Sequence, residues 1–152
     1  MDVEAPRIVE RAHGAHVVST DRSRLDFDLV HRALNQDAYW AIGRSRATIE
    51  RSFANTLLVG GAYTQDGSTV GFARMVTDLA TFGWLCDVWV EPEARGTGLG
   101  VVLVETLVEH PDVATIKRQM LATADAHELY SRFGYEPMVD ADRWMTRSGP
   151  DA

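Results

Sequence analysis

Cysteine is nearly absent from this 152-residue chain: Cys86 is the only one, which excludes an internal disulfide and leaves no CxxC pair for a structural metal. A reducing compartment is the expectation. Long apolar runs are missing too. The N-terminal Met1-Asp2-Val3-Glu4-Ala5-Pro6-Arg7 is charged and lacks the apolar stretch of a secretory leader, and no later run approaches the length that spans a bilayer. The expected location is the cytoplasm, without membrane association. Basic charge is in deficit: 22 acidic against 15 basic side chains give a formal net charge of −7, the reverse of a general nucleic-acid binder, and cationic small molecules are the more natural partners. Repeats, linkers and low-complexity segments are lacking as well. What remains is an ordinary globular composition, 45% hydrophobic and 24% charged, at a length that fits one domain over residues 1–152.

His16-Val17-Val18-Ser19-Thr20 is a β-prone run, followed by a polar turn at Asp21-Arg22-Ser23-Arg24. Leu25, Leu29 and Ala33 then share one helical face, with Phe27, Val30 and Leu34 beside it. A second helix is predicted from Ser45 as its N-cap, the Arg46/Glu50 pair, and Ile49 with Phe53 on one side; the aromatic connector Tyr39-Trp40-Ala41-Ile42-Gly43 lies between the two. Three β-type runs follow, at 56–63, 69–76 and 82–90, the first two joined through Asp66-Gly67, a strong hairpin signal. After Pro92 the pattern becomes a helical stripe of Leu99, Val102, Leu103 and Leu107, stopped by Pro111. Residues 119–123 read as a buried strand. A last helix opens at Asp125, with Glu128 completing a capping box and Gly134 supplying a left-handed stop, and a terminal strand is predicted around 143–146. The fold class is α/β in the mixed (α+β) sense, one sheet with antiparallel and parallel pairings, and not a doubly wound fold.

Arg95-Gly96-Thr97-Gly98-Leu99-Gly100 lies between a strand ending at Val90 and a helix beginning near Gly98, where an anion site is built. The first amides of a helix have no internal partners and point outward with the positive end of its dipole, so a diphosphate can accept several of them. Side chains at 96, 98 and 100 would obstruct phosphate oxygens or forbid the backbone angles, and Arg95 adds charge with directional donors. A Walker loop is excluded because no Gly-Lys-Ser/Thr follows. The GxGxxG dinucleotide fingerprint is excluded because Val101 stands three residues after Gly98. A glycine-rich turn that merely joins strand to helix is the plainer alternative.

The run Val88-Trp89-Val90-Glu91-Pro92-Glu93-Ala94-Arg95-Gly96-Thr97-Gly98-Leu99-Gly100 resembles the cofactor motif of the GNAT superfamily of N-acetyltransferases, Arg/Gln-x-x-Gly-x-Gly/Ala after apolar-x-Val-x-Pro. About thirty residues on, Asp125-Ala126-His127-Glu128-Leu129-Tyr130-Ser131-Arg132-Phe133-Gly134-Tyr135 is similar to the family's turn, Leu-Tyr helix and Phe-Gly-Phe/Tyr. The likeness covers roughly residues 15–147. It implies a central mixed sheet flanked by helices, with the strand at 82–90 splayed from that at 120–123. Acetyl-CoA is then the co-substrate: main-chain groups of Val88 and Val90 hold its pantetheine, and Arg95, Gly96, Thr97, Gly98 and Gly100 hold its pyrophosphate. It further implies direct acetyl transfer to a primary amine of a small molecule or peptide, with a noncatalytic acyl-CoA sensor as the alternative. Relatives commonly pair through sheet edges or the C-terminal strand, so a homodimer is an expectation that the resemblance carries.

Amide synthesis from a thioester needs a neutral amine, a stabilised oxyanion and a proton for the departing sulfur. By the resemblance, Tyr130 supplies that proton; packing beside Phe133 is its plain structural role. The sites where relatives carry a base hold Trp84, Cys86 and Arg118. Strict alternation puts Asp87 on the face opposite Trp84 and Cys86, as a buried acid paired with a neighbour. Asp87 is the candidate base, Asp78 and His127 stand behind it, and a water relay is the alternative. Arg74 either binds a substrate carboxylate or pairs with Asp78. Trp40, Phe53 and Trp84 either wall an acceptor pocket or fill the core, and Tyr135 reads as core. Without an HExxH pair, no metal is expected.

Overall fold

Six strands form one sheet in chain order: β1 (Glu10–His13), β2 (His16–Ser19), β3 (Leu58–Thr64), β4 (Thr69–Thr77), β5 (Phe82–Val90) and β6 (Arg118–Met120). The structure, a computed structural model, describes residue 2 and residues 4–150. Every neighbouring pair is antiparallel except β5 and β6, which run parallel. The Asp66-Gly67 turn closes the β3–β4 hairpin as expected, with Gly67 at φ 88° and the Asp66 carboxylate accepting from the Ser68 amide. β1 has no alternating apolar pattern to announce it, and forms by pairing with β2 around Gly14.

One layer of helix covers each face. On one side α3 (Leu99–Val108) lays Leu99, Leu103 and Leu107, all essentially buried, over Leu58, Ala62, Ala73, Met75 and Leu85 of the sheet. Burying each such leucine contributes up to about 2 kcal/mol. On the other side α1 (Phe27–Arg32), the turn that follows it and α2 (Arg46–Ala54) pack Val30, Leu34, Ile49 and Phe53 against Val59, Phe72 and Trp89. α2 starts where Ser45 predicts, the Ser45 hydroxyl accepting from the Thr48 amide, and Arg46 pairs with Glu50 at 2.8 Å. α1 starts two residues later than the apolar spacing suggests, because the Asp26 carboxylate caps it through the Asp28 and Leu29 amides. It then widens into a π-helical turn at Ala33–Asp37, which carries the aromatic connector across the end of the sheet. The Asn35 side chain donates to the Arg44 carbonyl and the Gly43 amide donates to the Asn35 carbonyl, fixing that connector.

The C-terminal third departs from expectation. β6 is three residues long and pairs only with Phe82–Trp84, so residues 121–123 leave the ladder instead of forming a buried strand. α4 spans His127–Ser131 without the Asp125 capping box; the Thr123 hydroxyl accepts the Ala126 amide instead. Gly134 takes the left-handed stop at φ 82°. The expected strand around 143–146 is absent among the described residues. A 3-10 turn occupies Ala141–Arg143, Trp144 lies under the Arg118 guanidinium at 4.9 Å, and Met145 is exposed.

Candidate active site

β5 and β6 stay together for three residues and then part, leaving the edge of β5 from Leu85 to Val90 without a strand neighbour among the described residues. A cleft of about 860 Å³ opens at this fork. Its walls come from β5, the start of α3, the aromatic connector and α4. The splay that the resemblance implies is therefore present: pairing of β5 with β6 ends at Trp84 and Met120.

The glycine loop lies at one end of the cleft. Gly96 and Gly98 adopt φ 76° and 83°, angles that β-carbon-bearing residues avoid, and Gly98 is the N-cap of α3. Gly100 is already helical and lines the cleft; a β-carbon there would meet only Val90, at an ordinary 3.7 Å. Its missing side chain relieves no backbone strain and leaves this part of the cleft open. β1 buttresses the loop: His13 Nε2 donates to the Thr97 carbonyl at 2.7 Å, and the His13 ring lies 3.3 Å from where a β-carbon on Gly98 would sit. The Thr97 hydroxyl turns back to the Ala94 carbonyl. Arg95 bridges the loop to the strand, its Nε donating to the Val90 carbonyl at 2.8 Å and its NH2 to Asp37 at 3.0 Å. The Trp89 indole N–H, followed by Arg95, holds Asp37 below the usual carboxylate range. Because the Glu91 amide donates to the Val70 carbonyl, Gly71 and Val90 form a non-hydrogen-bonded pair, and the main-chain groups of Val90 face the open edge. Its carbonyl is engaged by Arg95, which leaves the Val90 N–H for a ligand. Val88 lines the same wall.

The middle of the cleft is set by a β-bulge. Between the pairs Phe72·Trp89 and Arg74·Cys86 the register slips, so that Asp87 and Val88 together oppose Ala73, with Asp87 at φ 52°. Strict alternation would place Asp87 with Leu85, facing α3. The bulge turns it to the Cys86 side instead, which corrects the expectation of opposite faces. Asp87 is 5% exposed and accepts from Arg74 Nε at 2.6 Å, from Arg44 NH1 at 3.2 Å to each oxygen, and from the Trp40 indole at 3.1 Å. Arg74 thus pairs with Asp87 and not with Asp78, and its NH1 donates to the Thr56 hydroxyl. Cys86, half-buried beside this cluster, has its thiol pushed up to about 11 by burial.

Tyr130 closes the far side. Burial, then the charge of Asp125, then Tyr39, raise its phenol above the ordinary value, so it is a protonated donor at neutral pH. Its ring meets Tyr135 edge-on at 6.2 Å; the Tyr135 hydroxyl donates to Gln119, whose amide donates to the Val108 and Val113 carbonyls behind α3. Tyr135 is a support packed against the α3 core, as read from the sequence. Across the cleft mouth the Tyr39 hydroxyl comes within 3.5 Å of Asp125. Trp40 and Trp84 line the cleft, whereas Phe53 is buried between Phe27 and Phe72. His127 is exposed and outside the cleft. Asp78 is turned into its own loop, where the Thr81 hydroxyl and the amides of residues 80–82 hold its carboxyl far below the usual range. Arg44 carries no sequence signal beyond that of a loop residue after Gly43. Only the packed connector brings it to the cleft.

The family description "Acetyltransferase (GNAT) domain" matches residues 58–137 of the chain. A Gibberella zeae protein named as a candidate acetyltransferase is 31% identical over 140 residues, covering 78% of this chain and 77% of its own. Among solved structures, a candidate acetyltransferase assigned to the GNAT family from Xanthomonas campestris pv. campestris is 39% identical, covers 97% of this chain and 96% of its own, and superposes with a TM-score of 0.82. A Clostridium acetobutylicum candidate acetyltransferase, solved with acetyl-CoA, shares the fold at 17% identity and a TM-score of 0.61, over 80% of this chain and 86% of its own.

Proposed function

The chain belongs to the GNAT family of acetyltransferases, and from that membership we propose that it transfers acetyl from acetyl-CoA directly to a primary amine of a small molecule or peptide, in a ternary complex. The observation that carries the reading is the meeting, in one cleft, of the glycine cradle at α3, the open edge of β5 and the protonated Tyr130. Acetyl-CoA supplies an activated thioester. In this reading the amides of residues 96–100 with Arg95 hold its pyrophosphate, and the main chain at Val88 and Val90 holds the pantetheine arm. The observation favouring the fit is that Gly100 leaves room that the protein itself does not need.

The amine must arrive neutral, and the thiolate must leave with a proton. Tyr130 is assigned the second task, since a phenol with a raised pKa keeps its proton throughout the neutral range. Asp87, the sequence candidate for the first, already accepts from two guanidiniums and an indole. We assign it to holding Arg44 and Arg74 in place, and assign amine deprotonation to cleft water. Direct transfer is preferred because Cys86, the single thiol, is held protonated and no histidine lines the cleft among the described residues. A reducing cytoplasm suits that free thiol.

Calorimetric titration with acetyl-CoA and CoA, repeated on Gly98→Glu, tests the cradle; release of free thiol on an amine panel tests the chemistry. The expected result is binding lost in Gly98→Glu and turnover that falls about 10²-fold in Tyr130→Phe. Binding without turnover on any amine replaces the reading with an acyl-CoA sensor, and no binding at all removes the cradle assignment.

A further inference from the structure

We propose that the floor of the cleft is a carboxylate site for the acceptor: Arg44 and Arg74 bind an anionic group carried by the amine, so the substrate is an amino acid or a close relative with a free carboxylate. This rests on the acetyl-transfer reading and narrows it.

The charges in the cleft fall into three groups. At the cradle end Asp37 and Arg95 neutralise each other at 3.0 Å. On the floor, two guanidiniums share one carboxylate, Arg74 at 2.6 Å and Arg44 at 3.2 Å from Asp87, with side chains only 13% and 26% exposed. At the rim stands Asp125, beside Tyr130 and within 3.5 Å of the Tyr39 hydroxyl. The floor therefore carries one uncompensated positive charge and the rim one negative charge. Asp87 cannot absorb the surplus, because its oxygens already take four hydrogen bonds, including one from the Trp40 indole. A purely structural anchor for a buried aspartate needs one arginine. A second, largely withdrawn from water, is costly without an anion to meet it.

Donor capacity points the same way. A guanidinium presents five N–H groups. Arg44 uses only NH1, leaving Nε and NH2 without a partner among the described residues, and Arg74 leaves NH2 likewise. Both residues line the cleft. A surplus of one charge matches a carboxylate better than a phosphate dianion, and paired N–H donors suit carboxylate geometry. The ammonium of the same molecule would be drawn in past Asp125, lose its proton to cleft water and reach the Tyr130 side as the neutral amine, where the transfer reading puts the acetyl group.

The test is calorimetric titration of CoA-saturated protein with the standard amino acids, each beside its carboxamide, and with O-phosphoethanolamine, followed by thiol release on the same pairs with acetyl-CoA. At least one amino acid should bind about tenfold or more tightly than its amide, the strength of one charge-assisted pair. In Arg44→Gln that ratio should shrink to about twofold, with Arg44→Lys retaining part of it, in variants whose melting curves match the parent. Equal affinity within every pair of the parent protein overturns the proposal, as does a ratio that survives Arg44→Gln or a preference for the phosphate compound. Selective amino-acid binding without thiol release removes the transfer reading and leaves the carboxylate site standing. Thiol release that ignores the carboxylate does the reverse.

Discussion

Cys86 lies in the middle of the cleft, beside the Arg44–Asp87–Arg74 cluster, and its chemistry is set by desolvation more than by its charged neighbours. Burial raises the thiol from 9.0 to about 11, Arg74 and Arg44 oppose that shift, and Asp87 reinforces it. Only the thiolate alkylates, so at about pH 8 Cys86 should react with iodoacetamide on the order of a hundredfold more slowly than an ordinary thiol. The rate should climb about tenfold per pH unit until pH approaches 11, and acetyl-CoA should slow it further by filling the same cleft. Mass-spectrometric time courses check this; rapid labelling at pH 8 would mean that the thiol is not desolvated. Tyr130, Arg95 and the loop glycines are legible because they stand at fixed spacings within two motifs. Arg44 carries none, since an arginine in a loop looks the same whether it faces solvent or a buried carboxylate.

Two glycines of the loop belong to one element, the start of α3, and perform different tasks there. Gly98 holds φ 83° with the His13 ring 3.3 Å from its missing β-carbon, so Gly98→Ala should lower stability by about 1–2 kcal/mol and disturb the loop as well. Gly100 is helical with ordinary room around it; Gly100→Ala should leave melting unchanged or raise stability by up to about 1 kcal/mol. It should nevertheless weaken acetyl-CoA binding about tenfold or more, because the added methyl enters the cradle. Calorimetry and thermal melts on the two variants separate the roles, and tight binding by Gly100→Ala would move the pyrophosphate elsewhere. Element bounds governed by neighbours in sequence were legible: 82–90 matches β5 throughout, Ser45 caps α2 and Gly134 stops the last helix. The Asp125 capping box does not form because the helix starts at His127, which makes Ala126 its N-cap and leaves Asp125 one residue too early.

Across the molecule's described residues, four acidic groups titrate against their own burial. Tyr63, wholly buried on β3 with a hydroxyl that has no partner among those residues, is raised from 10.0 to about 12, Cys86 from 9.0 to about 11, and Tyr130 and Tyr135 are raised as well, in each case chiefly by desolvation. Each is neutral below its unfolded value, and the folded state disfavours its anion. Their contribution to stability is therefore fully present below about pH 9 and is lost as pH rises through about 11 to 12. Melting temperature should be level from about pH 7 to 9 and then fall steeply, with Tyr63→Phe falling less; scanning calorimetry across that range checks it, and a curve still level at pH 12 would show that these groups titrate as if exposed. The mixed sheet, the glycine loop between strand and helix and the position of Tyr130 were legible in the letters of the chain, because period, turn chemistry and motif spacing are local properties that survive in any packing. Tertiary structure alone decided which way Asp87 faces, since a bulge is a mismatch between β5 and β4 and belongs to neither strand's letters. It also decided the pairing of β1, the loss of the C-terminal strand and the meeting of Arg44 with Arg74, all of which depend on contacts between segments far apart in the chain.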